Sequence, residues 1–244
     1  LRFPHMMLTA EPTETAFRYR RNVQPAVVLP FDGVSTRYTI GSKDTNGYLF
    51  LVGYHDKTIY MEYQHSISDG RGFEEFIRCV LFQYLKNCGF PVENDGSVRG
   101  MDTRWSPEES ANGYEQLADR EFSPDGIWKK PEAVHAPEVQ WGADGSEVVT
   151  EVTFPFSQLH DYAKSIGVSP LSVLAPLMMK AFDDKFGGTD KPVIAEIPVD
   201  LRPLLPTLTT RYFICFIDLP YFPEYRDLPN DEVFRRTKAF LKDQ

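Results

Sequence analysis

Apolar and polar positions divide the chain into three blocks of different rhythm. Up to residue 63 the apolar residues fall in short strand-like runs: Phe17–Arg21, Ala26–Leu29, Thr36–Ile40, Tyr48–Tyr54 and Lys57–Tyr63. Asp32-Gly33, Asn46-Gly47 and His55-Asp56 supply the turns between them. YLFLVGYHDKTIYMEY reads as a hairpin, two β-rich segments around a polar turn. The clearest helix follows. Phe73, Phe76, Ile77, Val80, Leu81, Tyr84 and Leu85 recur at i, i+3, i+4 and share one apolar stripe, which Gly89 and Pro91 bring to an end.

Residues 91–147 lose that periodicity and are rich in Gly, Asp, Glu and Pro, with isolated Trp105, Trp128 and Trp141. They predict a long crossover pinned to a surface by its aromatics. Beyond it, Glu147–Phe154 alternates like a strand and Ser157–Ile166 reads as a short helix. Ser169-Pro170 matches an N-cap followed by proline at the first helical position, and Leu174, Leu177, Met178, Ala181 and Phe182 mark the helix after it. Pro176 predicts a kink or a later start there. Val193–Val199 and Tyr212–Leu219 are expected strands. Asp231–Lys242 is an expected helix that reaches the terminus without a stop signal, so the architecture reads as cut off.

Composition narrows the function classes. In 244 residues, 42% hydrophobic and 25% charged, there is ample material for a core. A formal charge of −9 without a long Lys/Arg cluster argues against a nucleic-acid partner. The short run Arg18–Arg21 is read as an exposed strand face. Cys79, Cys88 and Cys215 form no CxxC pair and are read as small buried residues of a reducing compartment, with no metal site. No apolar stretch is long enough for a membrane span and no signal peptide is visible, which together predict a cytoplasmic protein. A start at Leu1 rather than Met leaves room for an earlier segment.

One short segment carries candidate chemistry: Gln64-His65-Ser66-Ile67-Ser68-Asp69-Gly70. If the strand before it continues, His65 shares the more apolar face with Ile59, Met61 and Tyr63 and points inward at a strand end. Asp69 follows four residues on, where Ser68, Asp69, Gly70 and Gly72 read as a tight turn into the helix that begins near Arg71. Such a setting holds an imidazole in one orientation, as general-base catalysis requires. A satisfied structural histidine is the alternative.

His65-Ser-Ile-Ser-Asp69-Gly70 entering an amphipathic helix resembles the HxxxDG motif of the CoA-dependent acyltransferase superfamily. That group includes alcohol acetyltransferases, plant hydroxycinnamoyl-type transferases, chloramphenicol acetyltransferase and the condensation domains of peptide synthetases. IPVDLRPLLP at 197–206, followed by Thr210-Arg211-Tyr212-Phe213, resembles the downstream (V)(D/N)xR…P segment of the two-lobed members. The similarity is greatest to bacterial alcohol-acetyltransferase-like proteins.

The resemblance implies an α/β fold of two lobes, each a mixed sheet flanked by helices, related to chloramphenicol acetyltransferase. Residues 1–150 would form the N-terminal lobe with the HxxxDG loop and the crossover, and 151–244 a truncated C-terminal lobe. It further implies that His65 deprotonates a hydroxyl or amine attacking a thioester, in a channel between lobes. Asp69 would pair with Arg202 and brace the loop, and Gly70 would permit the turn. The donor would be acetyl-CoA or another acyl-CoA, bound as co-substrate with no tightly held cofactor. The acceptor would be a small alcohol or amine. Condensation with a carrier-protein thioester, and a non-catalytic binding protein on the same fold, are the rival readings. Departures from the family pattern are Gln64 in place of a first histidine, Arg211-Tyr212 where an asparagine is common, and a missing late DFGWG-like segment.

Overall fold

The computed structural model describes residues 2–31, 38–121, 128–136 and 152–243. It divides into two compact units, Leu1–Glu121 with Asp200–Ile214, and Phe122–Val199 with Cys215–Gln244. The expected lobe boundary near 150 lies outside the described residues, as do Asp32-Gly33, Trp141 and most of the expected strand Glu147–Phe154.

In the first unit, β1 (Leu8–Pro12) pairs antiparallel with β2 (Phe17–Arg21), from Leu8↔Arg21 to Pro12↔Phe17. The sequence pattern missed β1. Every residue of β2 is exposed, and Arg20 meets Glu11 of β1 at 2.6 Å. β3 (Val28–Pro30) runs parallel to β4 (Phe50–His55), which pairs antiparallel with β5 (Thr58–Tyr63). The β4–β5 hairpin is the one read from YLFLVGYHDKTIYMEY, and Asp56 in its turn takes a left-handed φ of 52°. The expected strand Thr36–Ile40 is absent over its described residues 38–40.

Helix α1 (Gly70–Asn87) packs Phe73 and Cys79 into a core with Phe3, Met6, Tyr48, Leu49, Phe50 and Ile67. Phe76 packs against this core and meets Phe3, Phe50 and Phe73 with centroids 5.2–5.5 Å apart. The end of the stripe is less buried than its rhythm predicts, since Leu81 and Tyr84 are exposed. Gly89, at φ +82°, closes the helix in a Schellman arrangement: Phe90 N–H reaches Leu85 C=O and Gly89 N–H reaches Lys86 C=O. Cys79 is buried, but Cys88 and Cys215 are exposed, contrary to the expectation of three buried thiols.

The stretch after α1 is more than a tether. A single turn at Pro107–Ser110 buries Glu109, whose carboxylate meets Arg2 at 2.7 Å and Arg99 at 3.2 Å. Trp105 packs here and donates to the Ser110 hydroxyl at 3.3 Å.

The second unit contains α2 (Phe156–Ser165), α3 (Pro170–Phe186), the sheet of β6 (Val193–Asp200) and β7 (Ile214–Tyr221), and α4 (Asn230–Asp243). Ala175, Met179, Val193, Leu219, Tyr221 and Val233 form its core. Ser169 caps α3 by accepting from Ser172 N–H at 3.1 Å. The helix starts at Pro170 and runs through buried Pro176, so the later start does not occur. Asp183 on α3 takes a two-point contact from Arg226, at 2.7 and 2.8 Å, which holds its pKa below the usual carboxylate range. Among the described residues no single helix is long and apolar enough to cross a membrane.

Candidate active site

The loop that joins β5 to α1 is shaped by its one apolar residue. Gln64 N–H still bonds Leu49 C=O at 2.9 Å, which adds one rung beyond the strand. Ile67 then turns into the core and is 4% exposed, with Ser68 and Asp69 buried behind it. Ile67 N–H bonds Gln64 C=O at 3.1 Å and closes a turn with His65 and Ser66 at its corners, and Gln64, His65 and Ser66 are all exposed. The expectation that His65 continues the strand alternation and points inward is therefore corrected. Strand pairing stops at Tyr63, so the period-two rule no longer applies.

Asp69 is the N-cap of α1, with φ −91° and ψ 178°. Its Oδ1 accepts from Gly72 N–H at 2.7 Å, and its Oδ2 accepts from Phe213 N–H at 2.7 Å. Arg202 Nη2 lies 3.0 Å from the same Oδ2. A carboxylate 1% exposed is thus met by a cation and two amide donors, the conditions under which burial of a charge is tolerated. The remaining donors of Arg202 are also engaged. Nε reaches Thr209 C=O at 2.9 Å, Nη1 reaches Asp200 at 2.8 Å, and Nη2 also bonds Arg211 C=O at 2.7 Å.

Gly70 does not play the part expected of it. It is exposed, and a Cβ added there would find only Tyr63 Oη, 4.0 Å away. The glycine required for close approach is Gly72. A Cβ on Gly72 would stand within the Thr210 carbonyl and 2.6 Å from Ser68 Oγ. Gly113 is similarly constrained, because its Cβ would strike the buried Phe213 ring at 2.6 Å.

Around this contact the segment 200–213 is bound to the loop within the two motifs, and also to Glu109 and His5, which the sequence pattern did not single out. Ser68 Oγ donates to Thr210 C=O at 2.7 Å. Thr210 N–H bonds Glu109 C=O at 2.9 Å, and Thr210 Oγ1 lies 3.2 Å from His5 Nε2. Burial lowers the His5 pKa to about 4, with help from the positive charge of Arg211. A polar cleft of about 300 Å³ lies beside Arg202 and includes Arg71, Glu75, Arg99 and Asp200. Each of its arginines already faces a carboxylate, so it reads as part of the brace.

His65 stands on the open side of this framework. Its ring lies 5.2 Å from that of Tyr63 and 6.0 Å from that of Tyr212, and no hydrogen bond to either ring nitrogen occurs among the described residues. Tyr63 is stacked on Phe73 at 3.9 Å, and burial together with the charge of Asp69 raises its pKa. Chemically, the arrangement offers a proton acceptor at the surface of a rigidly tied loop. Asp69 and Arg202 stay inside, paired with each other.

No family model matches the chain, and no curated protein sequence matches it. Among solved structures it is similar to the SgcC5 protein from Streptomyces globisporus, in complex with (R)-(−)-1-(2-naphthyl)-1,2-ethanediol and sucrose. The TM-score is 0.55 and the identity 12%, over 99% of this chain and 60% of that one. It is also similar to a condensation domain that mediates chain release from the enacyloxin polyketide synthase. There the TM-score is 0.52 and the identity 12%, over 99% of this chain and 52% of that one. The likeness is one of fold: mixed α/β, with small sheets flanked by helices as in condensation domains. The chain spans between about half and three fifths of the length of these structures.

Proposed function

We propose that the chain is the site-bearing part of a condensation-type acyltransferase, which moves an acyl group from a carrier-protein thioester to a hydroxyl or amine. The observation that carries this reading is the arrangement of the two sequence motifs. Asp69 and Arg202 close on each other at 3.0 Å, while His65 is left exposed without a hydrogen-bond partner among the described residues. The condensation-domain fold supports the choice of a carrier-borne donor.

In the proposed step, a nitrogen of His65 takes the proton from the acceptor's O–H or N–H as that heteroatom bonds to the thioester carbonyl carbon. The tetrahedral intermediate collapses with cleavage of the C–S bond. The departing thiolate takes the proton back from the imidazolium, so His65 ends neutral and no acyl-enzyme forms. Positioning of the two substrates supplies the rest of the acceleration. Asp69 takes no proton in this scheme. Acyl-CoA is the second donor reading, favoured by the resemblance of His65–Gly70 to alcohol-acetyltransferase-like motifs.

Mass spectrometry distinguishes the donors. The protein is incubated with acyl-pantetheinyl carrier proteins or with acyl-CoA, each with a panel of alcohols and amines. The reading expects ester or amide product from the carrier-borne donor. Product from acyl-CoA alone would move the assignment to the second reading. Product from neither would favour a non-catalytic binding protein.

A further inference from the structure

A general base on a surface loop must be kept from rotating, and the usual device, a carboxylate or carbonyl on the far ring nitrogen, does not occur at His65 among the described residues. What touches the ring instead is a pair of tyrosines. Tyr63 lies 5.2 Å away at 41° and Tyr212 lies 6.0 Å away at 77°, the latter an edge-to-face contact of the kind aromatic quadrupoles favour. We propose that Tyr63 and Tyr212 are positioning residues that set the orientation of the His65 imidazole; the proposal rests on the acyl-transfer reading above.

Both tyrosines are themselves fixed. Tyr63 pairs with Phe50 across the hairpin and lies flat on Phe73, with centroids 3.9 Å apart and planes at 18°. Phe73 is 2% exposed, so this support belongs to the core. Tyr212 is held through its chain neighbours. Arg211 C=O takes a bond from Arg202 Nη2 at 2.7 Å, and Phe213 N–H donates to Asp69 Oδ2 at 2.7 Å. The Phe213 side chain is fully buried. The Asp69–Arg202 brace thus reaches His65 through Tyr212. Ring contact orients the imidazole without occupying either nitrogen, which leaves one for the acceptor's proton.

The test uses Tyr212→Leu and Tyr212→Phe in the full chain, with histidine ring resonances followed by NMR. The expected result for Tyr212→Leu is a shift of the His65 ring signals, with those of His5, His55, His135 and His160 unmoved. Tyr212→Phe, which keeps the ring, leaves the His65 signals near the parent positions. In acyl transfer, Tyr212→Leu lowers kcat roughly three- to tenfold with KM unchanged, and Tyr212→Phe restores it. Unmoved His65 signals in Tyr212→Leu would overturn the proposal, as would moved signals with an unchanged kcat. If the parent protein transfers no acyl group, the acyl-transfer reading fails, and the His65 Hα–Hβ couplings, which report rotamer averaging and not the lost ring current, decide the orientation: averaging in Tyr212→Leu but not in Tyr212→Phe supports it, and equal couplings in parent and variants overturn it.

Discussion

Arg202 and Asp69 lie 133 positions apart in the sequence and meet at 3.0 Å, with the carboxylate fully enclosed and the guanidinium bonded on every nitrogen. Breaking such a pair leaves a buried charge uncompensated, and the cost is about 3–5 kcal/mol. Asp69→Asn also turns an amide N–H₂ toward donors it cannot accept from. Its urea midpoint should therefore fall by an amount equivalent to roughly 3 kcal/mol or more. Arg202→Ala should fall comparably. A double variant less destabilised than the sum of the two would measure their coupling.

The two glycines of the turn should respond in opposite ways. Gly72→Ala puts a methyl into the Thr210 carbonyl and Ser68 hydroxyl, so a loss of about 1–3 kcal/mol or more is expected. Gly70→Ala opens onto solvent at the first helical position and should change stability by less than about 0.5 kcal/mol. Thermal melts of the two variants read the contrast directly.

Acid should weaken the first unit through His5. Its folded pKa, about 4, lies below the ordinary histidine value of 6.5 because burial opposes the charged form. The unfolded chain therefore binds the extra proton first as pH falls. Stability is unaffected above about pH 6.5, declines between about 6.5 and 4, and levels off below. The full decline is about 3 kcal/mol, and in His5→Asn it should largely vanish. Urea midpoints measured across this pH range check the slope.

Thiol accessibility separates the cysteines. Cys88 and Cys215 are exposed, whereas Cys79 is buried and its pKa is raised by that burial. A thiol reagent should label two sites rapidly in the native protein and the third only on unfolding.

The hairpin and α1 were legible because their side chains face one continuous core, so Phe73, Phe76 and Ile77 keep the helical period that packing demands. The path of the HxxxDG loop was not. On paper the alternation runs on from Tyr63 to His65, but the turn closed by Ile67 N–H on Gln64 C=O interrupts it, and Gln64-His65-Ser66-Ile67 carries none of the Gly, Pro, Asn or Asp signals that announce a turn. The pairs Ser68–Thr210, Arg2–Glu109 and Gly72–Thr210 join segments 100 or more residues apart in the sequence, which periodicity cannot connect. The meeting of Asp69 with Arg202 was foreseen only through family resemblance. Gly70 and Gly72 both read as parts of the turn into the helix; which of them meets another segment is decided by the Thr210 carbonyl, 138 positions away, and has no local mark.

Acyl transfer by the parent protein and by His65→Ala, measured side by side with the same thioester donor, tests the central claim most directly. His65 is exposed and makes no hydrogen bond among the described residues, so its removal forfeits only ring contacts such as those with Tyr63 and Tyr212 and should leave the protein folded, with a small change in melting temperature. The account predicts that kcat falls by about 10²–10⁴-fold in this variant. Transfer at the parental rate by a folded His65→Ala protein would contradict it.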